Sequence, residues 1–214
     1  MRGRRRRVSF AGMAMDPVVL EGGVVRLVPL EAAHAPALWE AANDPELWRV
    51  ATVRMESEAD LRRYVAEALA ARAAGTAMPF ATVHAPTGRV IGSTRFFNWE
   101  PAHLRVEIGY TWVARQWQRT PVNTQAKYLM LRHGFEVLGC NRVELKTDAL
   151  NQRSQNAMLR MGATREGTLR RHMITESGRV RDTVYFSVIS EEWPAVKARL
   201  EEMLARPYPH PSGE

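Results

Sequence analysis

The chain has 214 residues, of which 45% are apolar and 25% charged, and these ordinary fractions exclude a disordered or collagen-like chain. A single cysteine, Cys140, excludes an internal disulfide framework and a cysteine-rich zinc site, and we expect a reducing, cytoplasmic compartment. The sequence contains no apolar run near the roughly 18 residues that cross a bilayer, and its basic N-terminus lacks the apolar segment of a secretory signal.

The net charge of +7 is concentrated at one end of the chain. Residues 1–14 hold five arginines and no acidic residue, so the rest of the chain carries a net charge of only +2. Because a run of like charges repels itself, we predict a disordered tail over residues 1–17. Three interpretations stay open: a solvated tail, an upstream start codon with Met15 as the true initiator, or weak binding to nucleic-acid phosphates.

Hydrophobic periodicity and turn residues predict alternating strands and helices in one domain over residues 18–205, with a frayed C-terminus over residues 206–214. The predicted strands cover residues 24–30, 80–84, 89–97, 104–113, 142–147, 164–174 and 179–189. The predicted helices cover residues 32–43, 57 to the glycine at 75, 123–138, 152–161 and 191–204. A strand–helix–strand crossover near the middle requires a parallel pair, whereas the meander before it and the hairpin after it require antiparallel pairs. We therefore predict a mixed α/β sheet with helices on its faces.

The strand over residues 104–113 is the most informative predicted element. Its alternation places Val106, Ile108 and Tyr110 on one face, and Glu107 and Gly109 on the other. A turn and a helix follow, and backbone N–H groups at a helix start can hold a phosphate, with nearby arginines adding charge. Many strand–turn–helix units bind no ligand, so this pattern alone does not decide whether the segment binds an anion.

A second informative segment covers residues 146–163, where Asn151 follows a strand and precedes a short helix. Its side chain has two possible roles. It can accept hydrogen bonds from the first turn of the helix, or it can bond an amide-bearing ligand.

Four segments together carry a family resemblance: RVEIGYTW, NTQAKYLMLRHGFEVLGCNRVELKTD, NQRSQNAMLRMGA and EGTLRRH…GRVRDTVYFSV. They resemble the GNAT superfamily of acetyl-CoA-dependent N-acetyltransferases, and most closely the RimJ/RimL-type branch that acetylates protein N-termini. The resemblance covers residues 24–200. It implies the GNAT-like fold, a mixed central sheet with helices on both faces, and direct transfer of an acetyl group from acetyl-CoA to an amine.

The resemblance also implies residues that bind the cofactor. The family's pyrophosphate loop reads Gln/Arg-x-x-Gly-x-Gly/Ala; here Gln118 keeps the first position, while Pro121, which lacks an N–H, and Asn123 replace two small residues. Asn151 matches the asparagine that contacts the pantetheine arm. The implied cofactor-binding residues are Tyr110, Trp112, Gln118, Arg119, Thr120, Val122, Asn123, Thr124, Asn151 and Ser154.

Two catalytic roles follow from the same resemblance. Glu107 matches the strand glutamate taken as general base, which would deprotonate the acceptor amine. The alternative is that Glu107 pairs with Arg105, Arg142 or Lys146 on the sheet. Many relatives place a tyrosine as general acid where this chain has Met158, so Ser154 is the implied proton donor to the departing thiolate, with water as the alternative.

The acceptor side is less defined. Phe97 and Trp99, together with Phe96, are candidate walls of an acceptor pocket, and His103 is a candidate proton shuttle, although a strand aromatic is more often core and a loop histidine more often solvated. The histidines show no metal-ligand spacing, so we expect no metal. The acceptor is a protein N-terminal α-amine or a small amine such as a polyamine, an antibiotic or an amino acid. A binding protein that has lost catalysis, a nucleic-acid-binding module and a homodimer also stay open.

Overall fold

The computed structural model describes residues 16–207, and within this range the predicted strands and helices are all present. Most of the predicted basic tail, and most of the predicted frayed C-terminus, lie outside the described residues. The strands are β1 (Val25–Pro29), β2 (Ala77–His84), β3 (Val90–Glu100), β4 (Arg105–Val113), β5 (Arg142–Asp148), β6 (Thr164–Ile174) and β7 (Val180–Ile189). The helices are α1 (Ala35–Ala42), α2 (Glu58–Ala73), α3 (Pro121–Arg132), α4 (Gln152–Met161) and α5 (Trp193–Ala205).

The strands form one mixed sheet in the order β1-β2-β3-β4-β5-β7-β6. The neighbours β4 and β5, joined by the α3 crossover, are parallel, and the other neighbouring strands are antiparallel. Helices α1 and α2 pack on one face, around Leu38, Leu61 and Trp112. Helices α3, α4 and α5 cover the other face, over a larger core that contains Phe80 and Phe96. We call these the α2 face and the α3 face; the prediction of a mixed sheet covered on both faces is confirmed.

The helix ends differ from their predicted positions for identifiable reasons. Helix α3 begins at Pro121 instead of residue 123, because Thr120 accepts the first-turn N–H of Val122 and proline is favourable at the first helical position. It ends at Arg132, and a π-helical turn over His133–Val137 continues it. Gly134 lies in this turn, where a Cβ would come within 3.1 Å of Val143 Cγ2 on β5. This close packing of helix on strand is not visible in sequence periodicity.

Residues 16–207 contain neither a membrane span nor a metal-binding cluster. No helix in that range combines the length and apolar character needed to span a bilayer. No group of three or more histidine, cysteine, aspartate or glutamate side chains there is arranged to hold a metal ion.

Candidate active site

Strands β4 and β5 separate along their length. Their parallel ladder pairs only Arg105 with Arg142, Val106 with Val143, and Glu107 with Glu144. Beyond Glu107 the two strands part and leave a gap in the sheet. The Glu107 side chain therefore stands at the base of the gap.

A bulge in β4 shapes one side of this gap. The β3–β4 register shifts next to Tyr110 and Thr111, and Tyr110 adopts a left-handed backbone conformation with φ of 50°. The predicted placement of Tyr110 beside Val106 and Ile108 is wrong, because the bulge interrupts the alternation on which it depended. The Tyr110 ring is 44% exposed and lies on the α2 face, against Phe97 at a centroid distance of 5.2 Å.

The Glu107 carboxylate is buried and held by one of its two oxygens. Its Oε2 atom accepts a hydrogen bond from Asn98 Nδ2 at 3.0 Å and lies 3.1 Å from Lys146 Nζ. Its Oε1 atom is buried and has no hydrogen-bond partner among the described residues. Burial raises the pKa of Glu107, while Lys146 and Asn98 oppose that rise. The group is thus fixed in position with one oxygen left to accept a proton.

Phe97 lies on the same face of the sheet as this free oxygen. It lies over Gly109, where an added Cβ would be 2.6 Å from Phe97 Cε1 and 3.6 Å from Glu107 Oε1. Lys146 Nζ lies 5.4 Å from the centre of the Phe97 ring and 5.8 Å from that of Tyr185. The α2 face next to Glu107 is therefore lined with aromatic rings, and a substrate-binding role for Phe97 stays a prediction.

The other predicted acceptor-side residues lie elsewhere. Phe96 is fully buried in the α3-face core, and Trp99 packs against that same core because Asn98, with φ of 50°, interrupts the alternation of β3. His103 lies in a short turn before β4, with its side chain 70% exposed and 3.9 Å from Glu100. That turn is at the paired end of β4, away from the gap. The structure therefore does not bring Phe96, Trp99 or His103 to the Glu107 site, which corrects these three assignments.

The side chain of Trp112 is also placed away from the gap. It belongs to the α2-face core and contacts Trp48 edge-on at 5.3 Å. Only the backbone of Trp112 can contribute to a ligand in the gap.

The loop from β4 to α3 is ordered by its own side chains. Gln118 Nε2 donates to the Val113 carbonyl at 3.1 Å, and Gln118 Oε1 accepts a hydrogen bond from Arg153 in the first turn of α4. Thr120 Oγ1 donates to the Trp117 carbonyl at 2.7 Å and accepts the Val122 N–H at 3.3 Å. The N–H of Val122, which the family resemblance implies as a cofactor-binding residue, is therefore already bonded within the chain, and its side chain lies in the core.

The Gln118–Arg153 contact links the two sides of the gap at its mouth. The loop before α3 thus faces the start of α4 across the opening.

At the start of α4, one of the two roles open to Asn151 is present. Its Oδ1 atom accepts the Ser154 N–H at 3.1 Å, so the side chain caps the helix. The Ser154 hydroxyl makes no hydrogen bond within residues 16–207, and its side chain is half-buried. Met158, at the tyrosine position of many relatives, is 5% exposed and lies in the α3-face core.

A basic cavity of about 570 Å³ opens beside the start of α3. The loop residues Arg119 and Thr120 line one side, and Thr124 lies one turn into the helix. Arginines from α4, α5 and the segment after α5 contribute to its lining, together with one glutamate; these residues are Arg160, Arg199, Arg206 and Glu202.

These features match a known domain family. The family model described as "Acetyltransferase (GNAT) domain" matches residues 25–164. The chain belongs to the GNAT acetyltransferase family. The fold expected from the family resemblance is confirmed.

Individual GNAT relatives support this membership. The Bacillus subtilis (strain 168) protein YdaF, provisionally named a ribosomal N-acetyltransferase, is 29% identical over 110 residues, which are 51% of this chain and 59% of YdaF. The chain spans somewhat more than half the length of the curated relatives it matches.

Solved structures cover more of the chain. A provisionally described acetyltransferase from T. thermophilus is 39% identical, with a TM-score of 0.81 over 88% of this chain and 98% of that one. Mycobacterium smegmatis RimJ, solved in complex with CoA-disulfide, is 23% identical, with a TM-score of 0.72 over 87% of this chain and 92% of RimJ, and therefore shares the fold.

The residues of this GNAT domain fit a phosphorylated thiol carrier such as acetyl-CoA. The β4–β5 pairing ends at Glu107, and the basic cavity beside α3 offers arginines to phosphate groups. Replacement of the two small loop residues by Pro121 and Asn123 does not disrupt the helix start, because proline occupies the first helical position.

Sequence reasoning missed several residues of this site. The contact of Asn98 with Glu107 could not be predicted from the sequence, because it depends on the irregularity that ends the regular part of β3. The sequence analysis names Lys146 only as an alternative ion-pair partner of Glu107, and the structure contains that ion pair. The other two candidate partners, Arg105 and Arg142, pair with Glu144 instead. Arg95 is a charged residue on β3, and its burial could not be inferred from the sequence alone.

Proposed function

We propose that this protein transfers an acetyl group from acetyl-CoA to a primary amine, with Glu107 as the general base. The observation that carries this proposal is the buried, unpartnered Oε1 atom of Glu107 at the point where β4 and β5 part. A buried polar atom without a partner costs free energy, and such atoms are retained where a ligand or a reaction uses them.

The chemistry requires a base at this position. An α-amino group has a pKa of about 7.7–8.0 and a lysine amine about 10.4, so both are largely protonated at neutral pH. Only the neutral amine attacks a thioester. Glu107 Oε1 would take the proton directly or through a water molecule, and the raised pKa of this carboxyl makes it a better proton acceptor than an exposed glutamate.

The transfer step balances with the residues present. Acetyl-CoA, when bound, supplies the acetyl group as a thioester. The amine nitrogen forms a bond to the acetyl carbon, the carbon–sulfur bond breaks, and the sulfur takes one proton while Glu107 holds the other. Tyr110 and Thr111 have no register partner on β3 or β5, so their N–H groups are candidates to polarise the thioester carbonyl.

Ser154 is our proposed proton donor to the sulfur. Its hydroxyl is free of hydrogen bonds within the described range and lies in the first turn of α4, beside the gap. Met158 cannot perform this role because its thioether carries no proton. Gln118, Arg119, Thr120, Asn123, Thr124 and Asn151 are the proposed binding residues for the remainder of the cofactor.

The proposed acceptor is an amine that reaches the α2 face of β4. The name of YdaF supports a ribosomal protein N-terminus. A small amine is supported by a different observation at Glu176, which lies at the tip of the β6–β7 hairpin. Glu176 donates its backbone N–H to the Thr52 carbonyl at 3.0 Å, and its carboxylate accepts the Arg54 N–H at 2.7 Å, in the segment before α2. This contact joins the β6–β7 hairpin to the segment before α2, which favours a closed acceptor pocket and hence a small amine.

Two measurements test the proposed function in sequence. Calorimetry with acetyl-CoA should show binding to the full chain. Mass spectrometry should then detect acetylated products from a panel of N-terminal peptides and small amines. Failure to bind acetyl-CoA, or binding without transfer to any amine, would contradict the proposal.

A further inference from the structure

Arg95 on β3 is a buried cation that the catalytic scheme does not use. Its side chain is only 6% exposed, and its Nε atom has no hydrogen-bond partner. Among residues 16–207, no carboxylate forms an ion pair with it and no carbonyl accepts from it. Because a buried charge without a partner is strongly unfavourable, its retention calls for an explanation.

Two tyrosine rings enclose this guanidinium. The Arg95 Cζ atom lies 3.9 Å from the ring centre of Tyr110 and 4.9 Å from that of Tyr64. The Tyr64 hydroxyl donates to the Tyr110 carbonyl at 3.3 Å, which ties both rings to the bulge. Cation–π contacts stabilise the charge through its faces and leave the Nε–H at its edge without a partner.

The register of the sheet places Arg95 beside the proposed catalytic base. Arg95 is opposite Gly109, and Phe97, two residues further on, is opposite Glu107. Arg95 and Glu107 are thus diagonal neighbours on the α2 face, with backbones about 7–8 Å apart.

The other charges on this face do not neutralise Arg95. Lys146 is paired with Glu107, and Arg179 bonds the carboxylate of Asp148. Arg181 lies 3.9 Å from that same carboxylate, and its Nε atom also lacks a hydrogen bond. The α2 face therefore carries one buried guanidinium, that of Arg95, without an ion pair among residues 16–207, and one carboxylate, that of Glu107, with a free oxygen.

We propose that Arg95 binds an anionic group of the acceptor, and that the acceptor is an amine with a carboxylate a few bonds from its nitrogen. This inference rests on the proposed function. The amine would lie at Glu107 Oε1, and the carboxylate would accept two hydrogen bonds from the edge of the guanidinium, the geometry that arginine favours. A free amino acid and the first acidic residue of a peptide both present this chemistry.

Matched acceptor pairs test the proposal on the wild-type chain. Each pair differs only in charge: alanine and alaninamide, β-alanine and its amide, and peptide amides that begin with aspartate or asparagine. We expect kcat/KM for the carboxylate member of at least one pair to exceed that of its amide by tenfold or more. Amine basicity cannot produce this preference in the amino acid pairs, because the amide has the more easily deprotonated amine. A preference in the amino acid pairs would indicate a free amino acid as acceptor, and a preference in the peptide pair would indicate a peptide with an acidic first residue.

In Arg95→Gln, the ratio of kcat/KM for the carboxylate acceptor to kcat/KM for its amide should fall to near one, while the affinity for acetyl-CoA stays unchanged. Arg95→Lys should restore part of the ratio, because it keeps the charge and loses the paired N–H geometry. The matched control is Arg132→Gln, since Arg132 on α3 lies 5.5 Å from the ring centre of Tyr128 on the other face of the sheet. It should leave the ratio as it is in the wild type.

The possible outcomes separate the two proposals. Acetylation of amines by the wild type without preference for any carboxylate member would overturn this inference and leave the proposed function standing. A ratio that survives in Arg95→Gln would also overturn it. Absence of transfer to every amine would overturn both. If Arg95→Gln fails to fold, the wild-type ratio alone decides.

Discussion

Glu107 and Glu144 are the last paired residues of the β4–β5 ladder, and the surroundings of their carboxylates are opposite in character. Glu144 accepts hydrogen bonds from Arg105 at 3.0 Å and from Arg142 at 2.9 Å, and both arginines also contact other acids. Glu107 leaves one buried oxygen without a partner. The paired end of the strands is thus electrostatically saturated, whereas the open end is not. This difference supports the proposal that the open end binds a ligand, whereas the paired end is structural.

The largest expected effect separates these two carboxylates. Glu107→Gln should lower kcat/KM by about 100-fold or more, because general-base catalysis typically contributes about 10²–10⁴-fold. Its affinity for acetyl-CoA should stay unchanged in calorimetry. Glu144→Gln should instead lower the free energy of unfolding by about 1–3 kcal/mol, since it weakens bonds to two arginines, with little change in kcat/KM. Equal losses of activity in the two variants would remove the distinction.

A second prediction concerns charge on the α3 face of the open end. The Lys127 ammonium is buried, and it donates a hydrogen bond to Thr111 Oγ1 on the bulge at 2.7 Å. Burial lowers the pKa of Lys127 to about 7 from 10.5, so between these values the unfolded chain binds more protons than the folded one. The stability of the wild type should therefore contain a contribution that rises with pH across this window.

Lys127→Met should remove that contribution and stabilise the fold at pH 7 by about 1–4 kcal/mol, as apolar replacements of buried ions often do. Denaturant unfolding at several pH values between 7 and 10 measures it. Lys197→Met, which changes a lysine paired with Glu136 at the surface, is the control. Parallel pH curves for wild type and Lys127→Met would contradict the buried-charge interpretation.

Removal of the proposed proton donor should have a smaller effect. Ser154→Ala should lower kcat by about tenfold, because water can replace a general acid in part. Helix α4 should be unaffected, since Asn151 caps it through the Ser154 backbone N–H. Ser190→Ala, in the segment after β7, is a matched control that should behave like the wild type. An unchanged kcat in Ser154→Ala would assign the proton to water.

The smallest expected effect is on the pH dependence. Lys146 lowers the pKa of Glu107, against the larger effect of burial. In Lys146→Met the pKa of Glu107 should rise further, so more of the carboxyl is protonated at pH 6. The acid limb of the kcat/KM profile should then move to higher pH by about one unit or less, with a few-fold loss at pH 6 and little loss at pH 9. A shift to lower pH would contradict the pairing.

The sequence predicted the elements of this fold because each has a local signal. Gly75 follows α2, Gly162 ends α4, and the Ser177–Gly178 turn separates β6 from β7. At these three positions the boundary depends on neighbouring residues in the chain, which turn residues report directly.

The site was only partly predictable, because it depends on the places where periodicity breaks. The bulge at Tyr110 and the interruption at Asn98 each rotate the following side chains to the other face, so Tyr110 and Trp99 were misplaced. Glu107 was identified through the family resemblance, and its free oxygen became evident only once Asn98 and Lys146 were placed around it.

The short β4–β5 ladder also has a mechanical consequence. Among residues 16–207, the three pairs from Arg105 to Glu107 with Arg142 to Glu144 are the backbone pairing that joins the four strands on one side to the three on the other. The sheet therefore consists of a four-strand part and a three-strand part joined by a short strand pairing. A molecule bound between β4 and β5 would contact both parts of the sheet, so amide hydrogen exchange in both parts should slow together when it binds. Binding of acetyl-CoA would then make the sheet more rigid, and the sheet is what holds the reacting groups in position.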